Sequence, residues 1–165
     1  MSLYIFDKDG TLVQRLRKYW LFKHSPLKPK EQILIPGVFE KLAELRATGH
    51  QLAIATNQPA VARGLISLQE AEELVKNCAA KVGGVDAWRL SPFHPLTLKT
   101  LHGKPNPYAR DDDTHKPHPG MILDLMRELH SVPTDTFMIG DKRVDKKCAH
   151  AAGATFIAYD EFFDV

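Results

Sequence analysis

Residues 6–12 read Phe6-Asp7-Lys8-Asp9-Gly10-Thr11-Leu12 and follow the short apolar run Leu3-Tyr4-Ile5-Phe6. The apolar run predicts a buried strand, and the Asp-Gly pair predicts a turn directly after it. Ligands of open α/β sheets bind at the carboxyl ends of strands, so both carboxylates lie where a functional site is expected. Such a turn can hold a divalent cation and direct a carboxylate oxygen at an electrophile, although Asp-Gly is also an ordinary surface turn.

The composition is that of an ordinary globular protein. The chain has 165 residues, of which 44% are hydrophobic and 25% charged, and this predicts one domain over residues 1–165. The net charge of +2 does not by itself indicate a nucleic-acid partner. The two cysteines, Cys78 and Cys148, lie in predicted helices without metal-ligand spacing, so we expect a cytoplasmic location. Because the sequence has no apolar run of membrane-spanning length, no signal-peptide pattern and no large apolar stripe, we expect a monomer without membrane contact.

Strand and helix signals alternate along the chain. Short apolar runs predict strands, and apolar residues at helical spacing, bounded by glycines, predict helices. The predicted strands are 3–6, 51–55, 85–90, 136–139 and 154–158, and the predicted helices are 37–47, 67–82, 120–130 and 143–152. The residues expected inside the third helix are Ile122, Leu123, Leu125, Met126 and Leu129. The alternation predicts an α/β fold with a parallel sheet and helices on both faces.

Two segments interrupt this alternation. Residues 14–30 contain six Lys or Arg residues, no acid, and the aromatic residues Tyr19, Trp20 and Phe22. Residues 91–119 contain six of the eleven prolines. Long loops in compact domains are usually functional or disordered, and neither segment is long enough for a cap domain of ordinary size. We therefore expect 91–119 to form a long Pro-rich loop on the substrate side.

Three further polar motifs follow in order, each near a predicted strand end or helix start. The second strand closes with a hydroxyl and two amides that can donate hydrogen bonds to phosphoryl oxygens, on Thr56, Asn57 and Gln58. Lys116 precedes the third helix and supplies a positive charge beside bound anions. Asp141 can complete a cation's oxygen shell, and Lys142 can reach an anion. Each motif alone also has a structural explanation, as a polar turn, a solvated lysine or an acidic helix cap.

Taken together, the four motifs predict a phosphoryl-transfer site. Asp7 would attack phosphorus and form an aspartyl-phosphate, and Asp9 would protonate the leaving oxygen and later deprotonate water. A Mg²⁺ ion held by Asp7, the backbone carbonyl of Asp9 and Asp141 would offset the repulsion between carboxylate and phosphate, with Asp145 as a further possible ligand. The charge on the equatorial oxygens would be stabilised by Thr56, Asn57 and Lys116.

The four motifs resemble, in order and over nearly the whole chain, those of the haloacid dehalogenase (HAD) superfamily of phosphatases. The segments 56–64 (Thr-Asn-Gln-Pro-Ala-Val-Ala-Arg-Gly), 116–121 (Lys-Pro-His-Pro-Gly-Met) and 140–145 (Gly-Asp-Lys-Arg-Val-Asp) are similar to motifs of its small capless branch, subfamily IIIA, which contains heptose-bisphosphate and histidinol phosphatases. This resemblance implies a single Rossmann-like domain without a cap, a parallel sheet of order 5-4-1-2-3, Mg²⁺ dependence and a small phosphate-ester substrate. The substrate-binding candidates are Thr56, Asn57, Gln58, Arg63, His115 and Lys142.

One departure from this branch concerns zinc. Its members commonly hold a structural zinc in the loop before the Lys motif, through a Cys-x-His and a Cys-x-Cys pair. Here those positions are Ser91, Phe93, Asp112 and Thr114, so we expect no zinc. A metal site made instead from His94, His102, Asp112 and His115 would have irregular spacing. The residue before the motif lysine, an arginine in the heptose enzymes, is His115, which lacks the bidentate fork of arginine.

Three functions remain open. The first is a phosphatase for a small metabolite such as a phosphorylated sugar, in which Arg15, Arg17, Lys18 and Arg63 either hold a second anionic group or form a solvated basic surface. The second is a polynucleotide 3′-phosphatase, since the basic, aromatic segment 14–30 would suit a strand-binding groove, although the weak net charge argues against nucleic acid. The third is a catalytically silent phosphate-binding module, which the intact Asp7 and Asp9 disfavour.

Overall fold

The computed structural model describes residues 1–18 and 22–164. For residues 17, 18, 22 and 23 it describes only the backbone. Tyr19 and Trp20, and the side chains of Arg17, Lys18 and Phe22, therefore lie outside the described part of the chain. The strands are β1 Leu3–Phe6, β2 Leu16–Lys18, β3 Phe22–His24, β4 Gln51–Asn57, β5 Ala87–Ser91, β6 Thr100–Leu101, β7 Lys104–Pro105, β8 Thr136–Gly140 and β9 Thr155–Ala158. The helices are α1 Val38–Ala47, α2 Leu68–Lys81, α3 Gly120–Glu128, α4 Arg143–Ala152 and α5 Tyr159–Phe163.

A five-stranded parallel sheet with the order β5-β4-β1-β8-β9 forms the centre of the protein. When these five strands are numbered 1 to 5 along the chain and the sheet is read from β9 to β5, the order is 5-4-1-2-3. The predicted fold class is therefore confirmed. β1 lies in the middle, where Phe6 is aligned with Ile54 of β4 and Ile139 of β8. The two antiparallel hairpins, β2-β3 and β6-β7, lie outside this sheet.

Two apolar clusters cover the two faces of the sheet. Helices α3 and α4 pack on one face, where Ile5 of β1 meets residues such as Ile122 and Cys148. Helices α1, α2 and α5 pack on the other, around Phe6. Because β1 alternates between the faces, its consecutive side chains enter both clusters, and this fixes the direction in which the following turn leaves the sheet.

Several element bounds and the exposure of one residue differ from the sequence expectation. β4 extends past Ala55 to Asn57, and β5 begins at Ala87 rather than at residue 85. α3 ends at Glu128 and not at residue 130, and Leu123, expected inside, is 41% exposed. The buried face of α3 consists of its neighbours Met121, Ile122, Leu125 and Met126, so Leu123 falls on the opposite side of the helix.

Helix α5 has no counterpart among the predicted elements. It is five residues long, which is too short for helical periodicity to be visible in the sequence. Its Phe162 and Phe163 contact the ring of Phe6, with ring centroids 5.7 and 6.4 Å away, and cover one face of the sheet. Within the described residues, no helix is both long and apolar enough to span a bilayer.

Candidate active site

The ends of β1, β4 and β8 bring three of the four polar motifs to one edge of the sheet. Asp7 follows β1 directly, and its backbone N–H donates to the carbonyl of Ile139 at 2.9 Å. Thr56 and Asn57 are the last residues of β4, and Asp141 follows the last residue of β8. Parallel neighbours end at the same edge, so this convergence is a direct result of the strand order.

Two glycines make room for close approach at this edge. Gly10 has φ +96°, and a Cβ atom on it would lie 2.5 Å from Asp141 Oδ2. Gly140 lies under Asp145, whose Cγ would be 2.6 Å from a Cβ at that position. Any side chain at either glycine would push an acidic residue out of the site, so the glycines allow the carboxylates to gather.

Lys116 is the fourth motif and lies at the centre of the site, with only 2% of its surface exposed. Its ammonium donates to Asp7 Oδ1 at 2.9 Å, to Asp145 Oδ1 at 2.6 Å and to the carbonyl of Ala55 at 2.9 Å. Burial alone would lower the pKa of Lys116, but the charges of Asp7 and Asp145 raise it well above its ordinary value. Burial alone would raise the pKa of Asp7, but Lys116 outweighs burial and lowers it. Asp7 is therefore ionised at neutral pH, as a nucleophilic carboxylate must be.

Three carboxylates meet at one point and could hold a metal ion. Asp7, Asp141 and Asp145 each offer an oxygen, and these oxygens lie within 4.8 Å of one another. Burial and the charge of Asp7 raise the pKa of Asp141. Burial also raises the pKa of Asp145, in spite of its contact with Lys116. A set of hard oxygen donors that repel one another fits Mg²⁺, which would offset that repulsion.

Arg15 contacts two of the groups that the sequence suggests as metal ligands. Its guanidinium donates twice to the backbone carbonyl of Asp9, from Nε at 3.1 Å and from Nη2 at 2.6 Å. The same Nη2 lies 3.0 Å from Asp141 Oδ2. The positive charge of Arg15 thus balances part of the negative charge of the three carboxylates at this edge.

The Asp9 carboxylate is buried and held by two donors. Its Oδ1 accepts a hydrogen bond from the ammonium of Lys8 at 2.5 Å, and its Oδ2 accepts one from the side-chain amide of Gln58 at 3.0 Å. The same amide nitrogen lies 3.0 Å from Thr56 Oγ1. Gln58 is only 2% exposed, so its amide contacts Asp9 and Thr56 rather than opening to solvent.

Asn57 joins the end of β4 to the loop that carries Lys116. Its side-chain amide donates to the carbonyl of Lys116 and accepts from the N–H of Lys116, both at 3.0 Å. His115 lies beside this pair, with its Nε2 3.5 Å from Asn57 Nδ2. Burial lowers the pKa of His115, and nearby His94 lowers it further, so His115 is neutral at pH 7.

Two adjoining cavities open at this edge. The first has a volume of about 190 Å³, and its lining includes Asp7, Asp9, Asn57, His115, Lys116 and Lys142. The second, of about 480 Å³, shares Ser25, Pro59 and Lys142 with the first. Its lining also includes Arg15, His24 and Arg63. The smaller cavity holds the acids, whereas the larger one is lined by basic side chains and by no acid among the described residues.

Among the four positions that would hold zinc in the subfamily IIIA phosphatases, Ser91, Asp112 and Thr114 are joined by hydrogen bonds, and Arg110 links Asp112 to Phe93. Thr114 Oγ1 lies 3.2 Å from Ser91 Oγ and 2.7 Å from Asp112 Oδ1. Arg110 pairs with Asp112 at 3.1 Å and lies over the ring of Phe93, 4.4 Å from its centroid. Hydrogen bonds and a cation–π contact thus connect the two ends of the loop.

The histidines of this loop do not gather into a metal cluster. Within residues 1–18 and 22–164, the one group of three or more candidate ligands that converge is the set of Asp7, Asp141 and Asp145. His94 and His115 are close, with ring centroids 5.7 Å apart, but they do not converge with His102 and Asp112.

Comparison with known proteins identifies hydrolases and phosphatases that are similar to this chain. The family model described as HAD-hydrolase-like matches residues 114–161. The D-glycero-beta-D-manno-heptose-1,7-bisphosphate 7-phosphatase of Photorhabdus laumondii is 36% identical over 122 residues, which are 72% of this chain and 62% of that enzyme. The enzyme of the same name from Haemophilus influenzae is 35% identical over 150 residues, which are 88% of this chain and 74% of that enzyme.

A solved structure supports the same relationship. It is the D,D-heptose 1,7-bisphosphate phosphatase from B. bronchiseptica complexed with magnesium and phosphate. It superimposes with a TM-score of 0.74 at 28% identity, over 94% of this chain and 79% of that one.

Proposed function

Because this chain belongs to the HAD superfamily of hydrolases, we propose that it is a Mg²⁺-dependent phosphomonoester hydrolase acting on a sugar bisphosphate. The observation that carries the proposal is the Asp7 carboxylate, which is buried at the sheet edge, held ionised by Lys116 and grouped with Asp141 and Asp145. The relatives named above are sugar-bisphosphate phosphatases, so they favour the sugar-phosphate reading and give no support to a polynucleotide 3′-phosphatase.

The chemistry follows from two carboxylates with different partners. Asp7 attacks phosphorus, so that a bond forms from its oxygen while the bond to the leaving oxygen breaks. The leaving oxygen keeps the electron pair and takes a proton from Asp9. In the second half, Asp9 removes a proton from water, which attacks the phosphoryl group and releases Asp7. When bound by Asp7, the Asp9 carbonyl and Asp141, Mg²⁺ would supply positive charge that lets the two anions approach.

Lys116 and Asn57 prepare the site in this scheme. All three N–H groups of the Lys116 ammonium have acceptors, so its main contribution is a fixed positive charge that orients Asp7 and Asp145. Asn57 fixes the backbone on both sides of that lysine. Lys142 lines both cavities, and in this scheme its ammonium would donate to a phosphoryl oxygen.

The second cavity suits the remote phosphate of a bisphosphate. Its basic side chains include Arg63, whose guanidinium can bind phosphate with two hydrogen bonds. His24 and Arg15 line the same cavity.

We expect Arg63→Gln to lower kcat/KM for a sugar bisphosphate more than for a sugar monophosphate. The loss of a charge-assisted contact should lower kcat/KM for a sugar bisphosphate about ten- to a hundredfold, corresponding to about 1.5–3 kcal/mol. The value for the matching sugar monophosphate should change less than about threefold, because that substrate has no remote phosphate. Arg127→Gln, on the exposed side of α3, is the matched control. Equal losses on both substrates would contradict an anion subsite at Arg63.

Metal dependence gives a second test. We expect EDTA to abolish hydrolysis and added Mg²⁺ to restore it. Mg²⁺ should also raise the melting temperature, because binding to the folded state offsets the repulsion among Asp7, Asp141 and Asp145. The shift in melting temperature should be lost in Asp141→Asn. Full activity after EDTA treatment, or an unchanged shift in that variant, would contradict the proposed metal site.

The substrate class is tested by a panel of phosphate esters. Sugar bisphosphates should be hydrolysed with the highest kcat/KM, ahead of sugar monophosphates, histidinol phosphate, nucleotides and 3′-phosphorylated oligonucleotides. A preference for oligonucleotides that falls steeply with added salt would overturn this assignment.

We also propose that the protein is a cytoplasmic monomer, and the two buried, unpaired cysteines fit a reducing compartment.

A further inference from the structure

Lys8 lies between the two acids of the first motif, and its side chain is 0% exposed. Burying an ammonium is costly unless it is paired with an acceptor. Among the described residues, the hydrogen bond found for this ammonium is the one to Asp9 Oδ1 at 2.5 Å. A buried cation whose partner is the proposed proton donor calls for a functional explanation, and the catalytic scheme above does not use it.

The Lys8 side chain is buried and does not face the first cavity. Lys8 does not line the first cavity, although Asp7 and Asp9 on either side of it do. It lies near Cys78 of α2, which is in the core: burial raises the pKa of Cys78 to about 12, and the nearby charges of Lys8 and Asp9 act on that thiol in opposite directions. The direct contact of the Lys8 ammonium with the site is therefore its hydrogen bond to Asp9.

Two donors on opposite oxygens fix the Asp9 carboxylate. Lys8 holds Oδ1 from the core side, and Gln58 holds Oδ2 from the end of β4. Gln58 is itself held by Thr56 at 3.0 Å. A carboxylate anchored in this way cannot rotate freely, and proton transfer requires it to lie within hydrogen-bond reach of the reacting oxygen. Misplacement of a catalytic group by about 1 Å can cost about a hundredfold in rate.

We propose that Lys8 is a positioning residue for proton transfer, whose buried ammonium holds the Asp9 carboxylate in the orientation that serves the leaving oxygen and then the attacking water. This inference rests on the proposed phosphatase function. It assigns a role in turnover to a residue that does not line the first cavity.

Dependence on the leaving group separates this role from a structural one. An alkoxide leaving oxygen needs a proton from Asp9, whereas p-nitrophenolate can leave without one. Lys8→Met should therefore lower kcat/KM for a sugar phosphate about a hundredfold, but that for p-nitrophenyl phosphate less than about tenfold. Lys8→Gln, which keeps a neutral donor, should show the same bias with a smaller loss. Lys8→Arg, which keeps the charge, should recover part of the activity on the sugar phosphate.

A double-mutant cycle shows whether Lys8 acts through Asp9. With p-nitrophenyl phosphate as substrate, Lys8→Met should have almost no further effect on kcat/KM in an Asp9→Asn background, since the group that it positions is already lost. Val75→Ala, on the buried face of α2, is the control for general loosening and should lower kcat/KM for both esters by the same factor. Circular dichroism and thermal melting establish that each variant is folded.

Two results would overturn the inference. One is an equal loss on both esters in the folded Lys8 variants, and the other is a full Lys8→Met effect in the Asp9→Asn background. Failure of the wild-type protein to hydrolyse either ester with Mg²⁺ present would instead refute the proposed function, so the two failures can be told apart.

Discussion

Replacing Asp7 by asparagine is expected to lower kcat about 10⁴-fold or more, because an amide cannot attack phosphorus in place of a carboxylate. The fold should survive. Asparagine has nearly the same shape, and its side-chain oxygen can still accept the hydrogen bond from Lys116 that Asp7 accepts at 2.9 Å. Initial rates on p-nitrophenyl phosphate and on a sugar bisphosphate, together with a thermal melt, measure both parts of this expectation.

The matched control for this substitution is Asp113→Asn. Asp113 is also an aspartate, but it lies exposed in the loop before α3, outside the lining of the first cavity. Its replacement should leave kcat within about twofold of wild type, as is usual for surface changes away from special features. Residual activity of Asp7→Asn at more than a few per cent of wild type would remove Asp7 from the nucleophile's role.

Lys116→Met is expected to have the second large effect, on stability as well as on rate. Methionine fills a similar volume but leaves the Asp7 and Asp145 carboxylates buried without their shared cation. Breaking a buried ion pair in this way typically costs about 3–5 kcal/mol of the free energy of unfolding. Urea unfolding at pH 7 measures this cost, and Lys76→Met, on the exposed surface of α2, is the control that should cost less than about 0.5 kcal/mol.

The pH dependence of that loss follows from the shifted pKa values. The pKa of Asp7 is lowered in the folded protein, so its contribution to stability is present above its unfolded pKa and is lost as pH falls through the folded value. The pKa of Lys116 is raised, so its contribution is present below its unfolded pKa and is lost as pH rises through the folded value. The difference between wild type and Lys116→Met should therefore be largest near neutral pH and should shrink in acid. A stability cost below about 1 kcal/mol at pH 7 would contradict the central position given to this lysine.

The sheet and the convergence of the motifs could be predicted because they depend on local patterns. Apolar runs and helical spacing mark the alternating elements, and the order 5-4-1-2-3 follows from the family resemblance. Once that order is given, Asp7, Asn57 and Asp141 must lie at one edge of the sheet, because the parallel strands that carry them all end there. The exact ends of the strands could be predicted less well. β4 continues through Thr56 and Asn57 because pairing with β5 extends to Ser91, and no local signal reports that pairing.

The contacts within the site could not be predicted, because they depend on side chains far apart in sequence. Arg15 reaches Asp141 across 126 positions, and nothing near either residue indicates the pair. Gln58 lines the second cavity, and no local pattern indicates the contacts of its amide with Asp9 and Thr56. The burial of Lys8 was also missed, since a lysine in a turn is ordinarily solvated. Its position between two acids was the available signal.

The most direct test of the account is to find the phosphoryl group on the protein. Asp9→Asn should slow release of the intermediate, so a rapid acid quench after mixing with p-nitrophenyl phosphate and Mg²⁺ should trap it for tandem mass spectrometry. Nucleophilic attack by Asp7 predicts a phosphoryl adduct on this residue, formed at the rate of the first burst of p-nitrophenol. An adduct on another residue, or a burst of p-nitrophenol with Asp7 unmodified, would contradict it.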